Sequence, residues 1–405
     1  MDTVIREKTL ELIKASIWNT SVPDLTAGQA EAVFQIFKTQ AITSLPEKVL
    51  SRIPALSDKL KKSWRNEIVH ILQTNLGLIS LEKGIINLLD TQDIKFVILK
   101  GTSVASYYPD RDLRALGDID ILTATDDHDK ACEYLLSKNF VETTDDKEKE
   151  LGRLRSFQLI DSTVEVHRFF TLAENSDKIE YLDRRIQHEI NETHRLDDIT
   201  NGLIMLEHIH QHLLTGLGLR HVIDWMVFVD KCLNEDNWSA FLKEAEQIGL
   251  SKLASVLVKM CEMYLGLKPR FDYGTVDEAV CAELLDYAFL SGNFGRAPEW
   301  ESTTNARVMS RIKNPADLFR HLQIRGLENW ESARKHKALR PFAWIYQIGR
   351  VVKKNLTKKD SAPSISDQLD NSKKLTKLLD GLGVEHSYKV KQSFDSEKYI
   401  NKITD

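Results

Sequence analysis

The chain has 405 residues, 42% of them hydrophobic, and sets 55 Lys and Arg against 60 Asp and Glu for a formal charge of −5. That length suits about two or three packed modules. The near-balanced charge lacks the basic excess that an extended nucleic-acid surface requires. Four scattered cysteines, Cys132, Cys232, Cys261 and Cys281, form no CxxC pair. This argues against a zinc ribbon or a disulfide framework and for a reducing, cytoplasmic setting. The opening MDTVIREKTLELIKASIW mixes charges into its apolar residues, unlike a signal peptide. No apolar run reaches the length that crosses a bilayer, so no membrane association is expected.

In chain order, residues 1–90 carry helical spacing, interrupted by polar breaks at 20–28 and 52–57. The clearest helix is expected from near Trp64 to Leu89, where Ile68, Ile71, Leu72, Leu76, Ile79, Ile86 and Leu89 recur at three- and four-residue steps. The pattern then changes. KFVILKG at 95–101 reads as a buried strand ending in glycine, and GDIDIL at 117–122 as another. DHDKACEYLLSKNF at 127–140 returns to helical spacing. SFQLI, the dipeptide Asp161-Ser162 and TVEVHRFF read as strand, tight turn and strand. Residues 91–180 thus form a mixed core and 181–355 a helical region, the latter including LIMLEHIHQHLL and LRHVIDWMVFVDKCL around a Gly-containing break at 216–218. The aromatic and basic stretch RPFAWIYQIGRVVKK at 340–354 has the spacing of a helix docking on the protein itself. Residues 356–405 turn polar and are expected to be a linker and tail. The fold class is α/β (α+β), a small mixed sheet between helical regions.

On a strand, alternate side chains share a face, so Asp118 and Asp120 converge while Ile119 and Ile121 point the other way. Two such acids repel, and a divalent cation between them relieves the repulsion. Hard oxygen donors favour Mg2+ or Mn2+ over zinc. In TVEVHRFF the same alternation puts Glu165 and His167 on one face. If the two strands are neighbours, Glu165 completes a three-carboxylate cluster suited to two-metal phosphoryl or nucleotidyl transfer. A solvated acidic face on an amphipathic strand explains a lone D-x-D equally well. The turn at Gly101, with Thr102 and Ser103 opening a short helix, adds backbone N–H groups and hydroxyls for an anion.

LKGTS at 99–103, YYPDRDLRALGDIDIL at 107–122 and VEVH at 164–167 together resemble the nucleotidyltransferase fold of the DNA polymerase β-like superfamily. They are most similar to a bacterial branch with the pattern LKG, YYP, R-x-x-GDIDIL. The step from Gly101 to Asp118 is longer than in most of the superfamily, and Thr102 stands beside the glycine where Gly or Ser is more usual. The resemblance implies that Asp118 and Asp120 hold Mg2+ or Mn2+, that Glu165 holds the catalytic ion, and that Gly101, Thr102 and Ser103 meet the nucleotide phosphates. Lys100 and Arg114 become candidate cationic partners of the triphosphate, or else strand-end and surface residues. The expected reaction moves a nucleoside monophosphate from an NTP to a small-molecule, protein or RNA acceptor. Two alternatives stay open: an inactive nucleotide-binding module serving a partner protein, and a metal-dependent phosphohydrolase.

A second constellation is EHIHQH at 207–212, where His208 and His212 share a helix face and His210 points elsewhere. With Asp224 they could bind a transition metal, although no HExxH signature is present. Alternatively His212, Arg220 and Asp224, with His167, line the acceptor side of a cleft. The third possibility is helix packing, with Asp224 paired to Arg220 at i, i+4.

Overall fold

Asp2, Thr26 and Ser57 each accept a first-turn backbone N–H with their side chains and so start three helices. These are α1 (Thr3–Trp18), α2 (Ala27–Thr39) and α3 (Asp58–Asp90). At 33 residues, α3 is roughly 50 Å long. The computed structural model describes residues 2–54, 56–171, 176–213, 215–295, 314–357, 365–384 and 396–404. It forms two units, one of Met1–Ala297 with Ser393–Asp405 and the other of Pro298–Gln392.

The first unit is built on a five-stranded mixed sheet. Its strands are β1 (Phe96–Leu99), β2 (Ile119–Thr123), β3 (Val141–Glu142), β4 (Leu154–Leu159) and β5 (Ser162–His167), in the order β1-β2-β5-β4-β3. Only the β2–β5 pair is parallel. Three short helices interleave with the strands: α4 (Gly101–Ala105), α5 (His128–Ser137) and α6 (Asp146–Leu151).

One face of the sheet is apolar. Ile119, Ile121, Val164, Val166 and Phe157 pack against Leu78, Ile85 and Leu89 of α3 and Ala131, Cys132 and Leu135 of α5. Each fully buried Ile or Val there contributes about 1.5–3 kcal/mol. This burial commits the alternate residues, Asp120, Glu165 and His167, to the other face.

The β4–β5 turn is Ile160-Asp161, one residue earlier than the expected Asp161-Ser162. Ile160 holds a left-handed φ of 55 and is exposed. Its β-branched side chain is the strand signal that moved the expected turn downstream. Strand β3 and helix α6 were not anticipated either.

Six helices follow in the same unit: α7 (Ser176–Glu189), α8 (Asp198–His212), α9 (Leu219–Cys232), α10 (Glu235–Gln247), α11 (Ser251–Leu265) and α12 (Glu278–Ser291). A Cβ on Gly202 of α8 would lie 2.3 Å from the ring of Phe228 on α9. Glycine there lets the two helices approach closely and sets α8 over the polar face of the sheet.

The second unit contains α13 (Pro315–Asn329), α14 (Glu331–Lys335), α15 (Ala343–Thr357) and α16 (Ile365–Leu382). Gly326 of α13 meets Ala343 of α15, and Trp330 stacks on Tyr346 with ring centroids 5.0 Å apart. The expected docking helix thus pairs with α13, but Phe342, Ile345, Ile348 and Val351 remain exposed.

Two helices stand within the expected polar linker and tail at 356–405. Helix α16 buries Leu375, Leu378, Leu379 and Leu382. Helix α17 (Ser396–Thr404) returns to the first unit and packs on α7, burying Tyr399 and Ile403. Both helices carry apolar residues at helical spacing inside a polar composition, and spacing outweighs the average. Residues 358–364 and 385–395 of that stretch lie outside the described residues. Among the described residues no helix is long and apolar enough to cross a membrane.

Candidate active site

The parallel β2–β5 register sets Asp120 directly opposite Glu165 and Leu122 opposite His167. Asp118, two residues before Asp120, lies along the same cleft. Antiparallel pairing of β1 with β2 sets Leu99 opposite Asp120, which brings the next residue, Lys100, to the carboxylates. Lys100 turns the chain with φ 45 and ψ −136, and Gly101 follows at φ 38. A non-glycine residue in that region costs on the order of 1–3 kcal/mol. Its ammonium lies 3.0 Å from Asp120 Oδ1 and 5.4 Å from the centre of the Phe170 ring. His167 Nε2 is 2.9 Å from the same Asp120 oxygen and 3.4 Å from Glu165 Oε2.

These contacts separate the two aspartates. The charge of Asp120, reinforced by burial, pushes the Asp118 carboxyl up to about 6. Burial acts in the same direction on Asp120, yet the Lys100 ammonium and the His167 ring together hold it well below the usual carboxylate range. Burial lowers His167, and its hydrogen bonds to Asp120 and Glu165 outweigh that and raise it. The cleft holds about 220 Å³ and has two walls. The sheet supplies Asp118, Asp120, Glu165 and His167; helices α8 and α9 supply His208, Gln211, His212 and Arg220.

Arg114 also reaches the cleft, but its guanidinium is committed elsewhere. It donates to both carboxylate oxygens of Asp224 on α9, from Nε and Nη2 at 2.8 Å each, and from Nη1 to the Gly101 carbonyl at 3.1 Å. The Tyr108 hydroxyl donates to Asp224 Oδ1 at 2.6 Å. Arg114 is thus a buried tie between the Gly101 turn and α9. This fork, favoured because a planar guanidinium matches a carboxylate at two points, ties Asp224 to Arg114, while the Asp224 charge also acts on Arg220. Arg220 Nη1 donates to the Ala115 carbonyl at 3.2 Å. Asp224 lies behind Arg114 rather than on the cleft wall.

The hydroxyls expected to meet phosphates point away from the cleft. Thr102 donates to the Glu82 carboxylate on α3 at 2.8 Å, and Ser103 to Asn201 on α8 at 3.4 Å. Of this turn, Lys100 and Gly101 line the cleft, and Thr102 and Ser103 do not.

Sequence reasoning missed Arg153, Phe170, Gln211 and His221. Arg153 forks onto Glu148 at 2.8 and 2.9 Å and donates to the Phe170 carbonyl at 3.3 Å. No local pattern marks it. His221 joins His208 and His212, and a ligand atom from each of the three lies within 4.8 Å of the others. It takes the place that Asp224 was given. Its signal was present in GLRHVID, a histidine just past the glycine break, but only the angle between α8 and α9 reveals where it points. His210 turns aside to Glu207, 3.0 Å away.

No curated protein and no solved structure matches the chain significantly. A family described as uncharacterised nucleotidyltransferase matches residues 26–266. That span is more than half the chain and holds the whole sheet and every residue lining the cleft. The mixed sheet, the three acids and this match converge, and the chain belongs to the nucleotidyltransferase family.

Proposed function

We propose that the protein uses Mg2+ or Mn2+ to transfer a nucleoside monophosphate from an NTP to a hydroxyl acceptor, releasing pyrophosphate. One observation carries the reading: the β2–β5 register that sets Glu165 across from Asp120, with Asp118 beside them in one cleft. Three carboxylates offer the hard oxygen donors these ions require. The like-charge pressure on Asp118 is what a bound cation relieves. When bound, the ions supply Lewis-acid polarisation of the phosphate and acceptor oxygens.

The remaining roles belong to the chain's own groups. Asp118, Asp120 and Glu165 hold the ions, and Lys100 leaves Asp120 to meet the triphosphate. The turn at Gly101 offers amide N–H groups of the first turn of α4, including those of Thr102 and Ser103, which lie outside the helical ladder. Arg114 holds that turn in place through the Gly101 carbonyl. Glu165, half-buried at the cleft, takes the acceptor proton. His167 orients Asp120 and Glu165, while His212 and Arg220 face the acceptor, with Asp224 steadying α9 through Arg114. As the acceptor oxygen bonds to the α-phosphorus, the bond to the bridging oxygen breaks and its electron pair leaves with pyrophosphate. The acceptor is a small molecule, a protein side chain or an RNA end.

The test incubates the protein with Mg2+, each α-labelled NTP and a cell extract as acceptor source. Wild type is expected to deposit label on an acceptor, and Asp120→Asn is not. NTP binding without pyrophosphate release would favour the binding module, and acceptor-independent phosphate release the phosphohydrolase. Equal labelling by both proteins would overturn the proposal.

A further inference from the structure

Opposite the carboxylates, α8 and α9 bring together three imidazoles, of which the proposed transfer uses only His212, on the acceptor side. His208 and His212, four residues apart on α8, place their Nε2 atoms 3.0 Å apart. His221, in the first turn of α9, stacks on His212 with ring centres 4.7 Å apart and lies 5.2 Å from His208. One nitrogen of each ring lies within 4.8 Å of the other two. A tetrahedral zinc ion with bonds of about 2.0 Å needs its nitrogens about 3.3 Å apart. The His208–His212 pair is already near that spacing, and His221 has to turn toward it.

The geometry points to a binding site for a borderline divalent ion, Zn2+ by preference, held by His208, His212 and His221 and separate from the carboxylate site. Two features support it. First, His208 and His212 are only half-buried and line the cleft beside Lys100 and Arg220, so a fourth coordination position faces open space. Second, the Thr215 hydroxyl lies 3.0 Å from His212 Nδ1 and leaves Nε2 to face His208.

The cations nearby oppose any ion held by charge alone. Coordination must therefore come from nitrogen lone pairs, which select zinc over magnesium. His221 is the weakest ligand of the three, because the Gly218 N–H donates to its Nδ1 at 3.2 Å. Binding must displace that bond or the proton that it leaves on Nε2, and likewise the proton shared by the facing Nε2 atoms of His208 and His212.

The experiment uses untagged full-length protein dialysed against Zn2+ in the presence of excess Mg2+. Wild type is expected to retain one Zn2+, and so is Asp118→Asn/Asp120→Asn/Glu165→Gln. His208→Gln and His212→Gln should lose about a hundredfold in affinity, and His221→Gln about tenfold. X-ray absorption at the zinc edge of wild type reads the ligands directly and keeps the test independent of variant folding; it should show two or three imidazoles. No retained zinc in wild type, equal retention in the folded His208→Gln/His212→Gln protein, or an all-oxygen ligand shell would overturn the site.

Discussion

The two walls of the cleft solve one problem in opposite ways. Each gathers titratable groups in a confined space, where charge is costly. The sheet wall keeps Asp120 ionised by seating Lys100 and His167 against it, while Asp118 carries the remaining repulsion. The helix wall keeps its imidazoles uncharged, since burial holds His208, His212 and His221 unprotonated, and leaves Arg220 as its cation. A wall of stored charge suits hard cations and phosphates. A wall of neutral nitrogen suits ligation without attraction. The difference shows that burial alone does not set the chemistry; the counter-charges do.

The contrast can be broken most severely at Asp120. Asp120→Asn removes the residue on which Lys100 and His167 converge and which is proposed to hold the ions, and should lower transfer about a thousandfold or more, measured as label deposited per minute. The fold should persist, because the amide keeps the shape of the side chain and loss of one carboxylate relieves the repulsion on Asp118. Next comes the tie between the walls. Arg114→Met leaves Asp224 buried without its fork and should cost about 3–5 kcal/mol in urea unfolding. A loss below about 1 kcal/mol would show that Tyr108 alone suffices for Asp224.

A smaller effect follows from Asp118. Its carboxyl titrates near 6, so proton and metal compete below that pH and the metal is favoured above it. Mn2+ affinity should fall about tenfold per pH unit below about 6, and Asp118→Asn should flatten that profile. The smallest effect is at the rim, where Asp183 accepts the Phe170 amide at 2.7 Å and the Tyr399 hydroxyl at 2.6 Å. Tyr399→Phe should cost about 1–2 kcal/mol by thermal unfolding and loosen α17 in hydrogen exchange.

Much of the sheet wall was legible because a strand's two-residue period is strict. D-x-D and V-E-V-H state which side chains share a face, and apolar partners at Ile119, Ile121, Val164 and Val166 state which face is core. The adjacency of β2 and β5 was a condition that the sequence left open. What lay beyond reach depends on distant pairings. Arg114 meets Asp224 across 110 residues. The hydroxyls of Thr102 and Ser103 were assigned to phosphate, but Glu82 and Asn201 are nearer partners. Lys100 reaches Asp120 only because its backbone takes a left-handed turn that no local propensity favours for lysine. Helix α17 was hidden by its polar composition, although Tyr399 and Ile403 sit at helical spacing.

Asp118, Asp120 and Glu165 are proposed to act as one divalent-ion site. Titration of the protein with Mn2+ in the presence of a non-hydrolysable NTP, read by electron paramagnetic resonance, addresses it most directly. Wild type should bind Mn2+, and Asp118→Asn/Asp120→Asn/Glu165→Gln, with an unchanged melting profile, should bind none above background. Equal Mn2+ binding by the two proteins would rule out a shared carboxylate site.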